Sequence, residues 1–456
     1  MIPSAWIIAR KWQYALSLPL LGVAVWWVTR HITNIVHADP TAHRDLSLLW
    51  IFVFASLAWH LTLAWTEKTY KTTLEQTSAL DKLWVAVNVP VFNEDPEALK
   101  RALIALLQQT RLPQVIEVVQ NGALDLQADL SGVQAWFLAQ QASTSVELRW
   151  SYVPEPGKRG AQLVTIRREP AGGIFITMDS DTVADSRAIE EGLKPFADAR
   201  VSSVASVILA YNSTAKLVRL TDAWLLTFQL AVRAAMSRLG CVLVNSGNFS
   251  LYRVDNLKEA ADSYEAEFFR GNKVEFSDDS LLTLFSHLKG KTIQQPTSFA
   301  FTVLPESISH HVRQQLRWMR GSTIRSIWRF RYLPVDGFAY WEHFMSWLNF
   351  GLVSTAFVYL LIWSPIMGYG VAPLMALFAV LVAYMTSLRY LTIRRSDQSF
   401  RSQLLSWLLA PLMLLWTACV LRPLRFYAIA TCWKTGWGTR GKVEVELENN
   451  LVEVTA

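Results

Sequence analysis

Long apolar runs near both ends of the chain, with polar sequence between them, constrain the fold more than any other feature. Residues 13–29 (QYALSLPLLGVAVWWVT) and 46–65 (LSLLWIFVFASLAWHLTLAW) are almost wholly apolar, and such runs return at 344–363 and 371–391. Each approaches the roughly 20 residues that a helix needs to cross a hydrocarbon core. A composition that is 52% hydrophobic and 18% charged agrees with spans rather than with a purely soluble chain. The first run has no small-residue cleavage site after it and is followed by a second span, so it reads as an anchor and not a removed signal peptide.

Positive charge orients the runs. Arg10 and Lys11 precede the first, and Lys68, Lys71 and Lys82 follow the second. The loop between them mixes Arg30 and Arg44 with Asp39 and Asp45. The outer flanks are therefore expected in the cytoplasm. The later hairpin has an uncharged loop, SPIMGYG, and is followed by Arg394, Arg395 and Arg401, so it too is expected to start and end there. A last run, 404–433, is interrupted by Pro411 and by Arg422, Pro423 and Arg425. One crossing would put the tail outside; a re-entrant pair or a broken double crossing would return it to the cytosol.

The expected plan is two N-terminal transmembrane helices and a cytosolic linker over 1–80, and a cytosolic α/β domain over 81–305. An interfacial segment over 306–340, C-terminal transmembrane helices over 341–434 and a cytosolic tail over 435–456 complete it. The protein is expected to be integral to the plasma (cell inner) membrane. The formal net charge of +6 suits anionic lipid head groups or a phosphorylated substrate, and no patterned basic tail favours nucleic acid. Cys241, Cys419 and Cys432 have no metal-ligand spacing and form no even disulfide framework, so they read as reduced packing residues.

Within 81–305, LWVAVNVPVFNEDPEALKRALIALLQQ gives a β-branched run ending near Pro90 and then a helical pattern from about Pro96. QVIEVVQNG and GIFITM are further strand signals. Strands alternating with helices imply a mostly parallel sheet, with ligands outside the carboxyl ends of the strands. Asp179 and Asp181 follow GIFITM at such an end. Two carboxylates one residue apart in a turn can hold a hard divalent cation, which in turn holds a diphosphate. They can equally be a turn cap.

In chain order stand PVFNED (90–95), GKRGA (157–161), DSD (179–181), SGNFSLYR (246–253), SDDSLLT (277–283) and QQLRW (314–318). This set resembles the processive membrane glycosyltransferases of family 2, which include hyaluronan, chitin, cellulose and rhizobial chitin-oligosaccharide synthases. The resemblance covers nearly the whole chain. It implies a Rossmann-like GT-A catalytic domain inserted between transmembrane helices, a UDP-sugar donor, and Mg2+ or Mn2+ on Asp179 and Asp181. It assigns Pro90, Asn93 and Glu94 to the nucleotide pocket and Lys158 to the diphosphate, with a solvated lysine as the plain alternative. Where many members carry an aspartate pair after the second strand, this chain has Gln120 and Asn121, whose amides can still hydrogen-bond a uracil edge.

The resemblance makes Asp279 the base that deprotonates the acceptor hydroxyl, and Asp278 its structural neighbour. A single carboxylate base implies direct displacement with inversion, since a covalent glycosyl-enzyme would call for a second close carboxylate. Ser246, Gly247 and Asn248 are implied on the acceptor side, although Asn245 stands where many hyaluronan synthases have cysteine. Gln314, Arg317 and Trp318 match the QxxRW element, which in the relatives it resembles touches the acceptor sugar and the diphosphate. The surrounding run, HHVRQQLRWMRGSTIRSIWRFRYLP, interleaves Trp318, Trp328 and Phe330 with Arg313, Arg317, Arg320, Arg325 and Arg329, as expected of a helix on an inner leaflet. His310 and His311 read as surface or interfacial residues.

WGTR, with Trp437, Thr439 and Arg440, resembles an element that closes over the nucleotide from the cytosol, which favours a return of residues 404–433. The implied product is a polysaccharide containing N-acetylglucosamine, hyaluronan first, exported through the protein's own spans. The donors are UDP-N-acetylglucosamine with or without UDP-glucuronate; the other partners are the growing polysaccharide and membrane lipid. A chitin-type synthase, a non-processive transferase onto a lipid phosphate and a membrane scaffold with a decayed transferase domain are the competing readings.

Overall fold

The computed structural model describes residues 2–8, 44–358 and 372–436, with single positions 23, 26, 30, 362 and 366 besides. The apolar run 13–29, the SPIMGYG loop and the WGTR element lie outside the described residues apart from those positions. β1 (Ala5–Ile7) is separate from the main sheet. That sheet is built from β2 (Val85–Val91), β3 (Val115–Asn121), β4 (Glu147–Val153), β5 (Ile174–Met178), β6 (Val183–Ala184), β7 (Val201–Ala210), β8 (Phe249–Arg253) and, after a small hairpin of β9 (Phe268–Phe269) and β10 (Asn272–Lys273), β11 (Lys291–Thr302).

The strand order is β4-β3-β2-β5-β8-β7-β11-β6. β2 pairs in parallel with both β3 and β5, so the chain reverses its direction of growth there and opens a crevice at the strand ends. β8 runs antiparallel between β5 and β7, and β6 antiparallel to β11. The sheet is thus mostly parallel with two inverted strands. Every residue of β2, β5 and β7 is buried, as strands covered on both faces should be, and Asn88, Thr177 and the serines of β7 are enclosed with the apolar residues. Pro90 is tolerated in a central strand because the β2–β5 ladder stops at Asn88. The helix Pro96–Leu107 starts on Asp95, whose Oδ1 accepts from Glu97 N (2.8 Å) and Ala98 N (3.1 Å), and buries the face Leu99, Ala102, Leu103 and Leu106.

The apolar helices are tied to this domain at their polar flanks. Glu67, just after the helix Arg44–Trp65, pairs with Arg389 (2.7 Å), which follows the helix Ala372–Ser387. Arg395 in β12 (Ile393–Arg395) meets buried Asp222 at 3.2 Å, and β12 pairs antiparallel with β1. The first residues of the chain and the flank after the second hairpin therefore lie together against the α/β domain.

In the last apolar run only one of the interruptions read from the sequence breaks the helix. After Phe400–Leu408 the chain breaks at Leu409 and then forms one helix over Ala410–Ala430. Pro411 occupies its first turn, where no N–H is needed. Pro423 does not split it, because a π turn at Thr417–Leu421 precedes the proline and lets the helix continue. Among the described residues this is the one helix long and apolar enough, by length and composition, to cross a membrane. Its C-terminal part packs on the helix Ile308–Tyr332, with Arg425 Nη1 donating to Met319 O at 3.1 Å. Beyond it Thr435 O accepts from Glu275 N at 3.2 Å, so the chain returns to the α/β domain.

Candidate active site

The antiparallel course of β8 builds the site. Because β8 runs against β5, the residues before it meet the carboxyl end of β5: Met178 pairs with Phe249, and Asp179 N donates to Asn248 O at 3.2 Å. The Asn248 amide then donates to Asp179 Oδ2 (3.1 Å) and Thr302 Oγ1 (3.0 Å), and accepts from Ser246 Oγ (2.8 Å). The DSD turn and the SGN turn are one hydrogen-bonded unit.

Asn121 ends β3 and is buried. Its Nδ2 donates to Val91 O and its Oδ1 accepts from Gly157 N, each at 2.9 Å. This clamps the end of β2 to the turn at Gly157, whose positive φ of 155° suits glycine and starts the helix Lys158–Arg168. Lys158 Nζ is thereby brought 2.5 Å from Asp179 Oδ1 and 3.2 Å from Asp278 Oδ2.

Asp278 and Asp279 open the helix Asp278–His287, where the macrodipole favours negative charge. Asp279 Oδ1 accepts from Ser280 N at 2.7 Å and Oδ2 from Gly247 N at 3.3 Å. The two aspartates differ in electrostatics. Burial and then the adjacent Asp278 push Asp279 up to about 6. Asp278 is held below the usual carboxylate range in spite of its burial, because Lys158 and Arg159 outweigh the desolvation. Asp179 is raised by burial, which Lys158 only partly offsets. Adjacent carboxyls with separated pKa values are the arrangement in which one stays ionised while the other exchanges a proton.

A cavity of about 650 Å3 gathers every described site residue expected from the sequence except Gln120. It is lined by Pro90, Asn93, Glu94 and Asn121 at the β2 and β3 ends, by Lys158, Asp179 and Asp181, and by Ser246, Gly247 and Asn248. Asp278 and Asp279, with Gln314, Arg317 and Trp318 from the helix Ile308–Tyr332, complete that set. Arg317 is close enough to Asp179 to favour its charged form. Trp318 is 41% exposed and forms part of the rim. The cavity continues past Phe228 and Arg233, in a π turn, to Trp347, Phe350 and Arg425 on the apolar helices. Trp437, Thr439 and Arg440 lie outside the described residues.

Several details differ from the expectation. Gln120 does not line the cavity; its amide donates to Gln127 Oε1 at 3.3 Å. Arg325 and Arg329 do not face a leaflet but are buried: Arg325 grips Glu267 through both nitrogens (2.8 and 3.0 Å), and Arg329 donates to Leu243 O (2.5 Å). His311 is buried against Trp416, and burial lowers its pKa to about 4.

Glu267 is the structural residue that sequence reasoning missed. It also accepts from Arg159 Nη2 (2.6 Å) and Trp328 Nε1 (2.8 Å), and Arg159 donates on to Phe276 O (3.0 Å). One buried carboxylate thus joins the helix of Lys158, the turn before Asp278 and the helix of Gln314. No spacing in the sequence marks it. Gly321 was missed as well: a Cβ there would lie 2.5 Å from Ser277 Oγ, so this glycine lets the long helix approach the Asp278 turn.

Among the described residues no group of three or more His, Cys, Asp or Glu is disposed to hold a metal. Asp179 and Asp181 are hard oxygen donors that suit a divalent cation, but a complete coordination shell requires further oxygens from a diphosphate or water.

Residues 82–321 match the family described as glycosyltransferase like family 2. The chain is 30% identical over 367 residues to a hyaluronan synthase of Streptococcus pyogenes, covering 79% of this chain and 84% of that protein. It is 29% identical over 377 residues to an N-acetylglucosaminyltransferase of Sinorhizobium fredii, covering 78% and 84%. Its fold resembles that of a mannosyltransferase from Pyrobaculum calidifontis solved with GDP-mannose and Mn2+, with a TM-score of 0.53, 18% identity, and coverage of 81% of this chain and 99% of that one.

Proposed function

The chain belongs to glycosyltransferase family 2, and from that premise we propose that it is a processive, inverting synthase. It builds an N-acetylglucosamine-containing polysaccharide from UDP-sugars at a cytosolic face and passes it out through its own membrane helices, with hyaluronan as the product. The observation that carries this reading is the convergence on one cavity of Asp179, Asp181, Lys158, Asp279, Gln314, Arg317 and Trp318.

Transfer from a nucleotide diphosphate needs charge stabilisation at the leaving group and a base at the acceptor hydroxyl. Bound at Asp179 and Asp181, Mg2+ or Mn2+ would supply Lewis-acid neutralisation of the diphosphate. Lys158 and Arg317 add fixed positive charge on the same side. Asp279, the one of the adjacent pair whose proton affinity is raised, takes the proton of the acceptor hydroxyl, while Asp278 stays ionised and holds Lys158. The Gly247 N–H orients Asp279 Oδ2, and Trp318 offers an indole face to the acceptor sugar. Pro90, Asn93 and Glu94 border the nucleotide, and Asn121 shapes that border through its clamp on Val91 and Gly157.

The test is UDP release by purified protein in detergent with Mg2+ or Mn2+, given UDP-N-acetylglucosamine alone, UDP-glucuronate alone, or both. Sustained turnover and lyase-sensitive polymer only with both donors is the expected result. Polymer from UDP-N-acetylglucosamine alone establishes instead the chitin-type synthase, the second reading favoured by the likeness to the Sinorhizobium fredii enzyme.

A further inference from the structure

Lys158 stands in the place of a cation. Its Nζ lies 2.5 Å from Asp179 Oδ1 and 3.2 Å from Asp278 Oδ2, and Asp279 adds a third carboxylate to its surroundings. The other oxygen of Asp179 is held by Asn248 Nδ2 at 3.1 Å. Both oxygens of the carboxylate expected to bind metal are thus engaged by the chain's own donors. The lysine side chain is only 15% exposed, so its attraction to these aspartates is screened far less than on an open surface.

A divalent cation arriving alone has to displace this ammonium from Asp179 and leave a buried positive charge short of a partner, which is costly. A cation arriving with a diphosphate does not, because the phosphate oxygens give the ammonium a new partner. Room for that exchange is in the cavity of about 650 Å3 that Lys158, Asp179 and Asp278 line, and Gly247 lets the ammonium lie this close, since a Cβ there would stand 3.1 Å from Nζ.

We propose that Lys158 is the resident cation of the ligand-free site: it keeps free divalent metal off Asp179 and yields that carboxylate when a nucleoside diphosphate takes over its ammonium. Metal and nucleotide binding are therefore strongly coupled. This rests on the reading that Asp179 and Asp181 hold the metal, and the experiment separates the two.

Mn2+ binding to the full-length protein in detergent is measured by the loss of the free-ion electron paramagnetic resonance signal, with and without UDP. Wild type should bind Mn2+ weakly alone and on the order of tenfold more tightly with UDP. Lys158→Met should bind Mn2+ without UDP on the order of tenfold more tightly than wild type does, and UDP should raise its affinity by a smaller factor than it raises that of wild type. Lys158→Arg, which keeps the charge, should behave as wild type, and adding Asp179→Asn to Lys158→Met should abolish the gain. Nucleotide-free Mn2+ affinity in Lys158→Met equal to or below that of wild type overturns the proposal, as does a gain that survives Asp179→Asn. Wild type that takes up no Mn2+ even with UDP overturns the metal assignment itself.

Discussion

Replacing Glu267 with glutamine should cost more than any comparable change outside the cavity. The carboxylate accepts from Arg325 Nη1 and Nη2, Arg159 Nη2 and Trp328 Nε1, and Arg325 is fully buried. Removing one partner of a buried ion pair costs about 3–5 kcal/mol, because the opposite charge stays buried. Arg159 keeps Phe276 O at 3.0 Å and Arg325 keeps Ser280 Oγ at 3.1 Å, which places E267Q at the lower end, about 3 kcal/mol. For a domain of this size that corresponds to a fall in Tm of roughly 6–12 °C.

The assay is thermal unfolding in detergent followed by tryptophan fluorescence, with UDP-release kinetics on the folded protein. Because the network positions the Asp278 turn against the helices of Lys158 and Gln314, kcat should fall more than the KM for donor rises. Burial opposes the charge on Glu267, but Arg325 and Arg159 prevail and hold its folded pKa below the ordinary 4.5. Its contribution is therefore fully present above pH 4.5 and disappears as pH falls through the depressed folded value, so wild type and E267Q should converge in Tm in strong acid. An E267Q protein that melts within about 2 °C of wild type at neutral pH would refute this reasoning.

Asp279→Asn should abolish polymer formation while UDP binding, measured by calorimetry, stays within about threefold of wild type; retained turnover removes Asp279 as the base. As Asp279 must be ionised to accept a proton and its pKa is raised to about 6, kcat/KM for wild type should fall on the acid side with a midpoint near that value. A profile flat from pH 5 to 8 would contradict the assignment. Gly321→Val should drive the long helix away from Ser277, because even a Cβ would sit 2.5 Å from Ser277 Oγ, and should lower kcat at least about tenfold without loss of expression.

Local sequence carried a large part of the site. PVFNED, GKRGA, DSD, SGNFSLYR, SDDSLLT and QQLRW lie between residues 90 and 318, and each described residue that they nominated lines one cavity. Turns at strand ends and the start of a helix are encoded by a few adjacent residues, which is why they can be read without the fold. The helix over 308–332 was legible as a helix, but the fates of Arg325 and Arg329 were not. Its composition resembles a leaflet-facing helix, and only partners distant in the chain, Glu267 for Arg325 and the Leu243 carbonyl for Arg329, turn that face inward.

The sequence by itself determined the strand-and-helix alternation, the apolar runs at either end, the family and the chemical types gathered at the site. Those follow from periodicity, composition and short motifs, which are local properties. Tertiary structure alone decided that β8 runs antiparallel and so delivers Asn248 to Asp179, and that Lys158 closes on that same carboxylate. It also decided that Asp279, not Asp278, is the aspartate whose proton affinity rises. Each of these depends on distances between residues far apart in the chain and on how much water is excluded between them, and neither quantity is written in any one segment.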